Sequence, residues 1–185
     1  MNLRNQLIAL IGLVALLGPT MMSSVAQLED KTTVEIQIVG GGALSVSISE
    51  SLAGGFSDVS YDFTKQLSAG TLVVTVVDEH GIASGWNVFV SADDFSGFSG
   101  VIDIQDLDLI PGQIDHQRGN VDLDGLTTFP VAPVSPGNTL FWSASGNFGD
   151  GEYNLPLVGI FSIPVGTLVG VYTSTLTVTV SDAMP

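Results

Sequence analysis

TLVVTVV, residues 71–77, is the stretch that decides the fold. Leu72, Val74 and Val76 fall on one side of it, and β-branched residues fill most of the rest. Successive side chains of an extended chain point to opposite faces, so an apolar row at every second position marks a half-buried strand. The same alternation recurs on both sides. WNVFV at 86–90 aligns Trp86, Val88 and Val90. LSVSI at 44–48 aligns Leu44, Val46 and Ile48, and TVEIQIV at 33–39 aligns Val34, Ile36 and Ile38, with Gly40 to Gly42 between them. VIDIQDLDLI at 101–110 places Ile102, Ile104 and one of Leu107 or Leu109 inward, with aspartates outward. Residues 140–144, 153–163 and 171–180 continue the pattern, and 56–63 is a weaker candidate. In the last of these Tyr172, Leu176, Val178 and Val180 share a parity. About nine strands, spaced by roughly 10 to 20 residues and separated by Gly, Pro, Asn or Asp, predict an all-β chain. The expected architecture is a single antiparallel two-sheet sandwich of the immunoglobulin-like, Greek-key kind. No stretch has a helical period, and 111–136, the least regular part, reads as a long loop crossing one end.

Composition narrows the function. Only 12% of residues are charged against 45% hydrophobic, with 22 glycines, which suits strands and turns better than helix surfaces. Four Lys and Arg face 19 Asp and Glu, a net charge of −15. So few bases cannot build the positive face that nucleic acid requires. The chain has no cysteine, which excludes thiol catalysis, zinc–thiolate sites and iron–sulfur clusters, and fits a bacterial or archaeal exported protein. Residues 1–26 read as a leader. Arg4 precedes the apolar run at 7–17, Gly18 and Pro19 end it, and Ser24-Val25-Ala26 offers small residues for cleavage before Gln27. That run is too short for a membrane span, which needs about 20 residues. The expected product is residues 27–185, one extracellular domain with no transmembrane segment.

Candidate chemistry is sparse. Asn120-x-Asp122-x-Asp124-Gly125 spaces three oxygen side chains as the first half of a calcium loop does. Val131 stands where the closing glutamate would fall, so Asp115 or Asp108 would have to complete the set. The alternative is an acidic, solvated turn. Asp93-Asp94 and Asp150-Gly151-Glu152 are weaker acidic candidates. His80 and His116 lack metal-ligand spacing, and no catalytic motif is present, so the chain reads as a non-enzyme with no cofactor beyond calcium. Trp86 has two readings: a core residue on the inward parity, or an exposed platform for a ligand together with Asn87. Tyr172 has the same pair of readings.

Two stretches carry a family resemblance: TLVVTVVDEHGIASGWNVFVSADDF at 71–95 and IFSIPVGTLVGVYTSTLTVTVSDAMP at 160–185. Together they resemble the WxL-type cell-surface domain of exported Gram-positive proteins. Trp86-Asn87-Val88 corresponds to the first Trp-x-Leu motif, and Val178-Thr179-Val180 to the second, with Val178 in the place of its tryptophan. The resemblance covers about 50 residues. It implies a β-sandwich held non-covalently on cell-wall polysaccharide or peptidoglycan, working with other surface proteins. The leading expectation is an adhesion or binding module. The alternatives are a structural subunit of an extracellular sheath, filament or matrix, and a secreted carbohydrate-active enzyme.

Overall fold

The computed structural model describes residues 42–50, 56–60, 63–81 and 84–183. The leader at 1–26, the strand expected at 33–39, and Gly40 and Gly41 lie outside them. The described residues are all-β, and none of their helices is long and apolar enough to cross a membrane. They form twelve strands: β1 (Leu44–Glu50), β2 (Gln66–Asp78), β3 (Trp86–Ala92), β4 (Phe95–Gly97), β5 (Gly100–Ile102), β6 (Leu107–Pro111), β7 (Asp115–Gly119), β8 (Leu126–Thr128), β9 (Thr139–Ala144), β10 (Gly151–Ile163), β11 (Tyr172–Thr173) and β12 (Leu176–Asp182). The first sheet runs β1-β2-β10-β6, with β7 also paired to β10. The second runs β12-β3-β9-β8, and a small third runs β11-β4-β5. Every pairing is antiparallel.

Alternation becomes burial as the sequence predicts. Val74 and Val76 of β2, and Tyr153, Leu155 and Leu157 of β10, line the inner face of the first sheet. Trp86, Val88 and Val90 of β3 line that of the second, and all of these belong to one apolar cluster. At roughly 25 cal/mol per Å2 of apolar surface removed from water, this shared layer is the main stabilising term.

Four expectations need correction. Residues 101–110 do not form one strand, because Ile104–Asp106 make a 3-10 turn between β5 and β6. Asp103 caps that turn by accepting the Gln105 amide at 2.9 Å, and Asp94 Oδ1 accepts the Ile104 amide at 2.9 Å. The turn resets the parity, so Ile102, Ile104, Leu107 and Leu109 are all buried. Residues 111–136 are not one loop, since they contain β7 and β8. Residues 56–60 form no strand and meet β2 through single bonds, Ser57 N to Ala69 O at 3.1 Å and Ser68 Oγ to Ser57 O at 2.6 Å. The stretch 171–180 breaks at Ser174-Thr175, which puts Tyr172 in the third sheet and Leu176 to Val180 in the second. One further irregularity serves the core. Val88 pairs with Trp142 but Phe89 with Leu140, so Phe141 is a bulge residue, and the consecutive Phe141 and Trp142 both turn inward.

Candidate functional site

The C-terminal end of β2 carries a cluster of polar side chains. Asp78 is 3% exposed and accepts the His80 amide on Oδ1 at 3.0 Å, a two-residue turn that follows from Asp-x-His after an apolar run. His80 Nε2 accepts the Leu44 amide at 3.3 Å, which leaves the imidazole proton on Nδ1. Nδ1 lies 3.6 Å from Asp78 Oδ1 and 3.5 Å from Asp182 Oδ1, so one imidazole touches the ends of β1, β2 and β12. Arg118 of β7 pairs at 2.7 Å with both Glu79 and Glu152. These are exposed pairs of small energetic weight. The Tyr153 hydroxyl donates to the Asn120 carbonyl at 2.7 Å and the Asp150 carbonyl at 3.1 Å. Burial first, and then the nearby Asp150, Asp78 and Asp122 charges, push that phenol above its usual range.

Burial also lifts Asp78 above the ordinary carboxylate value of 3.8. Asp150 and Asp182 add to the rise, while the His80 amide and imidazole oppose it. A carboxyl raised in the folded state holds its proton more tightly there than in the unfolded chain. Its stabilising contribution is therefore complete below the unfolded value and is lost as pH climbs through the folded one. Asp78→Asn keeps an oxygen for the His80 amide and removes the titration. The variant should gain melting temperature relative to the native chain as pH goes from about 4 to about 7. A difference that stays constant across that range would refute the assignment.

The opposite end of β2 borders a groove of about 980 Å3. Gly70 of β2 and Gly159 of β10 face each other in the ladder, at positions where the neighbouring inward residues are Leu72, Leu157 and Phe161. The absence of side chains at these adjacent inward positions lets a ring approach the backbone at Gly159. That ring is Phe56, 3.0 Å from where a Gly159 Cβ would stand. Phe56, Phe95 and Phe161 pack together, with ring centroids 6.0, 5.8 and 4.3 Å apart. Ile48, Leu72 and Leu176 form the walls, and the segment from Thr167 to Val171 forms the rim.

The residues singled out by sequence are placed as follows. Trp86 is fully buried, meets Trp142 edge-on at 4.9 Å and 88°, and donates its indole N–H to Gly149 O at 3.2 Å. It is a core residue and cannot serve as a surface platform. Asn87 is half-buried on the opposite face of β3. Tyr172 is half-buried, lines the groove, and donates its hydroxyl to Leu168 O at 2.8 Å, pinning the rim. Trp86 and Tyr172 sit in different sheets and share no bond or ring contact. Asn120 Oδ1 accepts the Asp122 amide and Asp122 Oδ1 the Asp124 amide, both at 3.0 Å, so this segment is two consecutive Asx turns. Asp115 accepts from Gln117 at 2.7 Å. Among the described residues no three His, Asp or Glu side chains gather as a metal would require. The geometry of the 120–124 segment is that of consecutive Asx turns. Sequence reading missed the groove, where inward-parity Gly70 and Gly159 were the available signal, and took Asp78 only as part of the break between two strands. No family model, no curated protein and no solved structure matches this chain.

Proposed function

We propose that the chain is an exported, extracellular, non-catalytic binding module held at the cell surface, on wall polysaccharide or peptidoglycan or on a neighbouring surface protein. The observation that carries this reading is the pairing of β3 with β12. These strands contain the two Trp-x-Leu-like motifs, 86–88 and 178–180, which are far apart in sequence. They lie side by side, with Val88 opposite Val180 and Val90 opposite Val178. Trp142 of β9, the strand on the other side of β3, packs edge-on against Trp86. We read the arrangement as an immunoglobulin-like Greek-key sandwich of the WxL type. The test is co-sedimentation of the processed chain with purified Gram-positive cell walls, with cellulose as the unrelated polymer. Retention on walls alone supports the reading, and chain left in the supernatant of both defeats it.

A structural subunit of a sheath or filament is the second reading. It is favoured by β12, the end strand of its sheet, whose outer edge pairs with no other strand among the described residues. Such an edge can accept a strand from another chain. Size-exclusion chromatography separates the two: a discrete monomer at all concentrations removes the polymer.

A further inference from the structure

We propose that the groove between the sheets holds one elongated, uncharged hydrocarbon chain, such as the alkyl or acyl chain of a neutral lipid. The inference is independent of wall binding. Three observations carry it. The floor of the groove is built into the ladder, because Gly70 and Gly159 are direct cross-strand partners and the Phe56 ring lies where a Gly159 side chain would stand. Glycine inside a strand marks a place where another group approaches closely. The volume of about 980 Å3 is at the upper end of what small-molecule sites occupy. Among the described residues the lining combines aromatic and aliphatic side chains with Ser, Thr and Gln, and Asp58 is its one charged residue. None of the described lining residues is a Lys or Arg that could receive a carboxylate or phosphate, and the chain as a whole carries −15. The site therefore selects against an anionic head group. The rim adds an entry path. Leu168, Val169 and Val171 border the groove and are themselves 61%, 75% and 82% exposed, and Val165 beside them is 64% exposed. From residue 156 to residue 181 the sequence has no charged side chain, so a hydrocarbon chain meets only apolar and hydroxyl groups on its way in.

The experiment titrates the full processed chain with N-phenyl-1-naphthylamine, a neutral apolar fluorophore, and then displaces it with hexadecanol or palmitate. We expect saturable fluorescence with one probe per chain and displacement by hexadecanol. Palmitate should bind at least about tenfold more weakly, since its carboxylate finds no cation in the groove, only Asp58, on a chain of net charge −15. Ile48→Asp puts a charge on the groove wall at a position already 39% exposed, so the fold tolerates it. It should weaken probe binding by about tenfold or more. Ile110→Asp, 44% exposed and outside the groove, should bind as the native chain does. The proposal falls if folded native chain does not enhance the probe, if Ile48→Asp binds normally, or if palmitate equals hexadecanol. It also falls if an alternating apolar peptide displaces the probe and hexadecanol does not, or if light scattering shows the probe bound only to dimers.

Discussion

Trp86→Ala is expected to lower unfolding free energy by about 3–5 kcal/mol, the range for deleting a fully buried aromatic side chain. Trp86 is 0% exposed, so the substitution opens a cavity in the core at the start of β3, a central strand of the second sheet. It also removes the edge-on contact with Trp142 and leaves Gly149 O without its indole donor. A domain with about 5–15 kcal/mol in total would lose a large share of its stability. At roughly 2–4 °C per kcal/mol for a domain of this size, the melting temperature should fall by about 10 °C. Trp86→Phe keeps most of the packing and should cost less, mainly the hydrogen bond and the lost ring volume. Urea denaturation followed by far-ultraviolet circular dichroism measures both without relying on tryptophan emission. If Trp86→Ala unfolded at the native midpoint, the residue would not be carrying the core, and the surface-platform reading would return.

Gly149→Ala should cost about 2–4 kcal/mol, from backbone strain and overpacking together. Gly149 has φ +89°, where a side chain is disfavoured. A Cβ there would stand 2.5 Å from Trp86 Nε1 and 2.6 Å from Ala144 Cβ, both rigidly packed. Gly166→Ala is the matched comparison, with φ +85° and nothing within 4 Å of the new Cβ. It should pay the backbone strain alone, about 1–2 kcal/mol. The Gly149→Ala, Trp86→Ala double variant should lose less than the sum of the two single variants, because removing the indole relieves the clash. Additive losses, or equal losses at Gly149 and Gly166, would show that the indole does not define the space around Gly149.

The parts of the fold legible in the sequence are those in which burial alone sets the pattern. β2, β3 and β10 are flanked on both sides by other strands, and the inward positions of β3 and of the middle of β2 and β10 are filled by apolar residues at every second position. The parts that were not legible depend on local hydrogen bonds or on partners remote in sequence. The 3-10 turn at 104–106 is set by Asp103 and Asp94, and an aspartate in an alternating stretch reads equally well as an outward strand residue. β7 has one half-buried residue flanked by exposed neighbours, so its strand character comes from β10 rather than from its own composition. The bulge at Phe141 puts two adjacent aromatics inward, which strict alternation forbids. The floor of the groove, with Phe56 against Gly159 and Gly70 beside it, follows from the register of β2 against β10 and from a contact between residues far apart in sequence.

The turn between β5 and β6 also makes chain length at that point a topological variable. Ile102 and Ile104 are even-numbered, Leu107 and Leu109 odd-numbered, and all four are buried. A variant lacking one residue of the turn would bring the two halves into phase, and the segment would then read as one uninterrupted strand. Such a strand has to belong to a single sheet, whereas β5 pairs within the third and β6 within the first. A one-residue gap there would remove the corner by which the chain passes between layers, whereas gaps in surface loops leave every layer intact.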